Sequence, residues 1–202
     1  MAIHLIRHGE TAGNAGRVVQ TADTPLNERG LEQARRLAQR LEGAGIGRIL
    51  ASDLRRAAMT AETLREALDV PLDLEPLLQE RNFGELRGTP YAELEVDIFA
   101  AGFAPPGGET WERFDARVDR AWRRVTQVAG ATPGHLAVVT HGLVCFSLAT
   151  RHVALPREAE PRLGFENTSL TIAGAAPPHQ VTLFNCTAHL AGQALDGEAA
   201  RV

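Results

Sequence analysis

An α/β fold is predicted for this 202-residue chain by two regularities of the sequence. Short β-type runs alternate with longer helical periods, and the helical stretches carry apolar residues on one face. A third observation is length: about 200 residues bury a sizeable core without disulfide staples, so one domain over residues 1–202 is expected. Residues from about 187 to 202 lack periodicity and are expected to form a loosely ordered tail.

The first run, Ile3 to Arg7, is an apolar strand that surfaces at a cation. Leu31, Ala34, Leu37, Ala38 and Leu41 then keep one helical face apolar, with Asn27 as N-cap and Gly43 as the stop. Arg48 to Ala51 is the second strand. A second helix is predicted to open at Ser52, to carry Leu54, Ala57, Ala58, Ala61, Leu64 and Leu68, and to end before Pro71. Leu72 to Leu74 is a third, short strand. After Pro105-Pro106-Gly107-Gly108 comes the strongest helix, whose stripe of Trp111, Phe114, Val118, Ala121, Trp122, Val125 and Val128 reads as core. Leu136 to Thr140 is a buried strand, and a helix follows His141-Gly142 to about Arg151. Ser169 to Ile172 and Gln180 to Phe184 complete the strands.

Composition removes whole classes of chemistry. All 21 basic residues are Arg, so neither a P-loop lysine nor a Schiff-base lysine exists here. A net charge of -4 with no clustered run argues against nucleic-acid or anionic-membrane partners. Cys145 and Cys186 lie in apolar settings without CxxC spacing, as buried free thiols of a reducing compartment do. No secretory leader opens the sequence and no run approaches the ~18 apolar residues of a membrane span, so a cytoplasmic location is expected. Gly43-Ala44-Gly45-Ile46-Gly47 precedes a strand, where a dinucleotide-binding glycine loop would follow one, and it reads as a helix stop and turn.

The chemistry concentrates at strand ends. Arg7-His8 follows the first strand, Glu80 follows Leu77-Leu78-Gln79, and His141 closes Ala137-Val138-Val139-Thr140. Arg55 lies one turn into a helix starting at Ser52, facing the same edge, while its neighbour Arg56 is expected to point to solvent. Open α/β sheets gather ligands at the carboxyl ends of their strands. A guanidinium fork fits phosphate oxygens and a neutral imidazole is a nucleophile, so these residues together read as a phosphoryl-transfer site. His4 and His8 lie four apart on a strand, without the helix and glutamate of a zinc motif. No metal is expected, and His4 reads as a core residue.

Arg7-His8-Gly9-Glu10-Thr11, Ser52-Asp53-Leu54-Arg55-Arg56, Glu80-Arg81-Asn82-Phe83-Gly84 and Thr140-His141-Gly142 resemble the histidine phosphatase superfamily, which includes the cofactor-dependent phosphoglycerate mutases. The resemblance covers residues 2 to about 172. It implies a three-layer sandwich with a mixed, mainly parallel sheet flanked by helices, and a phosphohistidine intermediate. By that resemblance His8 is the nucleophile, Arg7, Arg55 and His141 hold the transferring phosphoryl group, and Glu80 is the general acid and base. Asn14 is implied to touch phosphate. Residues 20–26, with Gln20 and with Thr21 where glycine is usual, resemble a substrate-facing loop, and Asn167 is a further contact. Arg81 could bind a substrate carboxylate. Glu109 matches a phosphatase-type motif without an assignable role.

Physical expectations sit beside the resemblance. Neighbouring cations should keep His8 neutral. At Glu80, cations that lower the pKa compete with burial and an incoming phosphate dianion that raise it, and the second pair is expected to win. Mutases of the resembled family typically have a longer insertion here, so the short segment from Arg81 to Gly108, with only two cations, implies by that resemblance hydrolysis of a small phosphomonoester over mutase transfer; a non-catalytic phospholigand-binding module is the third alternative. No cofactor is expected, and homodimerisation is an expectation at the level of the family.

Overall fold

The computed structural model describes residues 1–160 and 163–191. Six strands, β1 (Ala2–Arg7), β2 (Ile46–Ala51), β3 (Leu72–Leu74), β4 (His135–Thr140), β5 (Leu170–Gly174) and β6 (Val181–Cys186), form one sheet in the order β3-β2-β4-β1-β5-β6. β1, β2, β3 and β4 pair in parallel, and β5 and β6 run antiparallel at one edge. The helices are α1 (Ala12–Ala15), α2 (Glu28–Leu41), α3 (Arg55–Leu68), α4 (Trp111–Ala131) and α5 (Gly142–Arg151).

Alternation along the central strands assigns the helices to layers. Leu136 and Val138 of β4, with Ile3 and Leu5 of β1, join Phe114, Val118, Trp122 and Val125 of α4 and Leu143, Val144 and Leu148 of α5. Ala137 and Val139, with Ile6, face the other way onto Leu37 and Leu41 of α2 and Ala57, Ala61 and Leu64 of α3. Strands covered on both faces need apolar residues at every position, which is why these runs read as continuous rather than alternating. The mixed, mainly parallel three-layer architecture is the one expected.

Register carries the site. Arg7 pairs with Thr140 and Ala51 lies opposite Val139, so the residues that follow all three strands emerge at one edge. The His8 amide donates to the Thr140 carbonyl at 2.9 Å, prolonging the ladder by one residue. Helix α2 starts where Asn27 caps it, the Asn27 side chain accepting from the Gly30 amide at 2.7 Å. A Cβ at Gly30 would lie 2.0 Å from the Glu10 carbonyl oxygen, and only glycine lets α2 press this closely on the loop after β1.

Two boundaries differ from expectation. Helix α3 begins at Arg55, with Leu54 as its cap residue, because Ser52 is occupied elsewhere: its hydroxyl accepts from the Leu54 amide and meets His141. The expected loose tail is in part ordered. Ala188–Leu190 forms a 3₁₀ turn, and the His189 ring contacts Arg40 at 3.2 Å and the Thr168 hydroxyl at 3.0 Å; residues 192–202 of that tail lie outside the described residues. Among the described residues, no helix is long and apolar enough to cross a membrane. Cys145 is buried, Cys186 is half-buried, and the two are not bridged.

Candidate active site

His8 is 2 % exposed at the end of β1. Its Nδ1 lies 2.7 Å from the Gly9 carbonyl oxygen. A carbonyl only accepts, so Nδ1 carries the proton and Nε2 keeps its lone pair toward the cavity that His8 lines. Burial pushes the His8 pKa well below its ordinary value; Arg56 and Arg7 add to that, and the Gly9 carbonyl opposes them. The ring is therefore neutral at physiological pH. Its backbone is pinned from both sides, with Asn167 Nδ2 donating to the His8 carbonyl at 3.0 Å and the Gly9 amide donating to Thr60 Oγ1 at 3.1 Å.

Arg7 and Arg56 line the same cavity and each is 3 % exposed. Arg7 Nη1 donates to the Phe165 carbonyl and Arg56 Nη1 to the Thr21 carbonyl at 2.9 Å. Burial draws Arg56 down to about 10, so it remains charged at neutral pH. His141 is fully buried behind His8, with ring centroids 5.1 Å apart. Its Nε2 is 2.8 Å from Ser52 Oγ, which also accepts from the Leu54 amide at 3.3 Å. Arg7 Nε, Arg56 Nε and His141 Nδ1 are all shut away without a protein partner. Such a group costs about 1–3 kcal/mol when unpaired, so the two guanidinium N–H groups at the cavity of the nucleophile call for a ligand that brings oxygen acceptors.

Glu80 faces this cluster. Its Oε1 accepts from the Arg81 amide at 3.0 Å and its Oε2 from the Leu143 amide at 3.1 Å. A methyl placed on Gly142 would sit 3.6 Å from Arg7 Nε and 3.9 Å from Glu80 Oε2, which puts acid and cation against one spot. Desolvation raises the Glu80 pKa and outweighs the two amides and the Arg56 and Arg7 charges that lower it. The cavity has a volume of about 50 Å³, the scale of a phosphoryl group. Phe83, Arg87, Tyr91 and Phe99 form its outer wall.

The structure brings together Arg7, His8, Asn14, Gln20, Thr21, Glu80 and Arg81 around this cavity, with His141 behind it. Asn14 Oδ1 is taken by the Thr11 amide at 3.2 Å, so its amide nitrogen is the end available to an anion. Arg55 is not among them. It is exposed beside Ala58, Met59, Glu62 and Arg65, and Arg56 holds the place expected of it. The cause is phase: Arg56 falls on the face of α3 that buries Ala57, Thr60, Ala61 and Leu64, and Arg55 falls off it. Arg81 reaches the wall with three of its five N–H donors already spent on backbone carbonyls. Its guanidinium gives to the carbonyls of Glu109 (3.1 Å), Ile98 (3.1 Å) and Phe103 (2.6 Å) and lies 3.9 Å from the Trp111 ring centroid. Asn167 spends its amide on the His8 carbonyl and Asn14, and does not line the cavity. Sequence reasoning missed Arg56, Ser52, Arg87 and Tyr91; the first two stand inside the Ser52-to-Arg56 motif. His4 is buried as expected, stacked on His135 at 5.3 Å.

The family model described as histidine phosphatase superfamily (branch 1) matches residues 3–186. The chain belongs to this superfamily. Among curated relatives of this histidine phosphatase superfamily member, "Probable phosphoglycerate mutase GpmB" of Yersinia pestis (strain Pestoides F) is 33% identical over 182 residues, 85% of this chain and 83% of the relative. Among solved structures, the mycobacterial glucosyl-3-phosphoglycerate phosphatase complexed with VO3 is 28% identical at a TM-score of 0.73, covering 86% of this chain and 90% of its own. Phosphoglycerate mutase from Bacillus anthracis str. Sterne, 24% identical at a TM-score of 0.77 over 95% of each chain, shares the fold. Proteins named as phosphatases and as mutases thus both resemble this superfamily member.

Proposed function

We propose that the protein is a phosphomonoester hydrolase that works without a metal through a phosphohistidine on His8. The observation that carries this reading is the neutral His8 lining one cavity with Arg7 and Arg56, whose buried Nε donors no protein atom satisfies. Nε2 attacks phosphorus, the P–O bond to the alcohol breaks, and Glu80 gives its proton to the departing oxygen. Charge spreading over the equatorial phosphoryl oxygens is met by the two guanidiniums and by His141 and Asn14. Water then attacks the phosphohistidine, the Glu80 carboxylate takes its proton, and inorganic phosphate leaves with His8 neutral again. A raised Glu80 pKa suits the first step, since the group must arrive protonated.

The substrate is a small phosphorylated molecule whose phosphoryl group enters the 50 Å³ cavity while the alcohol projects past Phe83, Arg87 and Tyr91. Likeness to GpmB favours a mutase as second reading. Against it, the Arg81 guanidinium that would hold a substrate carboxylate is 2 % exposed and already gives three of its five N–H donors to backbone carbonyls. Acid-quench labelling with a radiolabelled phosphomonoester should trap a phosphoenzyme that is lost in His8→Ala. Phosphate release should exceed isomerisation of 3-phosphoglycerate assayed with a phosphorylated primer; the reverse order would make it a mutase, and no phosphoenzyme would remove both.

A further inference from the structure

Arg117 projects from α4 toward the segment that carries Glu80; its guanidinium lies 5.3 Å from the Phe114 ring centroid, and its hydrogen bonds go to residues 77–80 and to Glu109. Nη1 donates to the carbonyls of Leu77 at 2.8 Å and Gln79 at 2.7 Å, and Nη2 donates to the Glu80 carbonyl at 3.2 Å. Nε and Nη2 grip the two carboxylate oxygens of Glu109 at 2.8 and 2.7 Å. The side chains are 12% and 17% exposed. Glu109 returns to the same segment: its Oε2 accepts from the Asn82 amide at 3.0 Å, and its own amide donates to the Asn82 carbonyl at 2.8 Å. Residues 79–83 lie in no helix or strand, so no ladder fixes them.

We propose that Arg117 and Glu109 are positioning residues for Glu80, a guanidinium–carboxylate clamp that holds the acid-bearing backbone in place relative to His8. The inference rests on the general-acid reading of Glu80. Neither side chain lines the cavity, so neither touches the substrate. Their contribution passes through the Glu80 main chain: the carboxyl's own anchors are the Arg81 amide, which moves with the segment, and the Leu143 amide of α5. Only a planar fork satisfies three carbonyls and a bidentate carboxylate at once, and a lysine cannot. General-acid catalysis tolerates little misplacement of its donor, because the proton must meet the leaving oxygen within hydrogen-bond reach.

The test is leaving-group dependence. Phenyl phosphate and p-nitrophenyl phosphate fit a site alike, but phenolate is the more basic leaving group and depends far more on protonation. kcat/KM for each reports only phosphoenzyme formation, the step in which Glu80 acts as acid. Glu80→Gln, Arg117→Gln and Glu109→Gln should each widen the nitrophenyl-to-phenyl ratio about tenfold over the parent protein. Lost folded protein cancels in that ratio, which a purely structural role therefore leaves untouched. Arg117→Lys should widen it as well. If Arg117→Gln does not fold, Glu109→Gln, which keeps the carbonyl bonds, decides. An unchanged ratio in Arg117→Gln and Glu109→Gln beside a widened one in Glu80→Gln overturns the clamp alone. An unchanged ratio in Glu80→Gln overturns the acid assignment and the clamp with it.

Discussion

Replacing Arg56 with methionine should separate catalysis from stability. The guanidinium is 3 % exposed, and burial draws its pKa from the ordinary arginine value down to about 10. A group whose folded pKa lies below its unfolded one, charged in both states at neutral pH, carries the full cost of that charge, here about 3 kcal/mol; the cost falls away only as pH rises through 10 toward the unfolded value. Against it stands the bond to the Thr21 carbonyl, worth about 1–2 kcal/mol. Methionine keeps most of the buried aliphatic volume. Arg56→Met should therefore be more stable by about 1–2 kcal/mol, a rise in melting temperature of roughly 2–8 °C for a domain of this size. Its kcat/KM for phosphate release should fall ~10²-fold or more, the usual loss of one preorganised donor. Arg55→Met, at an exposed position, should change stability by no more than about 0.5 kcal/mol and leave turnover near the parent value. Thermal unfolding and phosphate release on the two variants decide the matter. A lower melting temperature in Arg56→Met, or an equal loss of activity in Arg55→Met, would refute the reasoning.

Three further expectations concern single positions. His4, 5 % exposed and lowered to about 4 by burial, by His135 and by Arg40, stays neutral in the fold. Its stabilising contribution is complete above pH ~6.5 and declines as pH falls toward 4, by about 2 kcal/mol at pH 5, so His4→Leu should flatten the acid side of a melting-temperature profile. Gly142→Ala places a methyl beside Arg7 Nε and Glu80 Oε2 without a clash; folding should hold within about 1 kcal/mol while kcat/KM drops about tenfold, and wild-type kinetics would mean that the methyl misses the reacting group. Asn167→Ala frees the His8 carbonyl, and steady-state kinetics should register about a tenfold lower kcat with KM little altered, since the amide lies outside the cavity; a raised KM instead would make Asn167 a substrate contact.

Strand positions, helix caps and the strand-end residues were legible because they are local. Apolar runs name β1 and β4, Asn27 names the start of α2, and sheet geometry carries Arg7, His8 and His141 to one edge. What escaped depends on phase or on distant partners. Two adjacent arginines differ by about 100° around a helix, and it is the buried face of Ala57, Thr60, Ala61 and Leu64 that decides which of them turns inward. Arg81 looks like a free cation in sequence. Three carbonyls from residues 98, 103 and 109 and the Trp111 ring capture it, and loops without periodicity give no hint that they will converge. Glu109 belonged to a motif without a role until Arg117, eight residues on, supplied the partner.

The sheet register has a consequence for how such a protein can diversify. His8 and His141 stand on hydrogen-bonded neighbouring strands, so the spacing of the two imidazoles is inherited from β-sheet geometry and not from any loop. The wall facing the alcohol comes from elsewhere, the irregular stretch that includes Phe83, Arg87, Tyr91 and Phe99. Those four positions could be rewritten, or the stretch lengthened, with the phosphorus-handling half left standing, and a library confined to them is where a designer should look for new substrates.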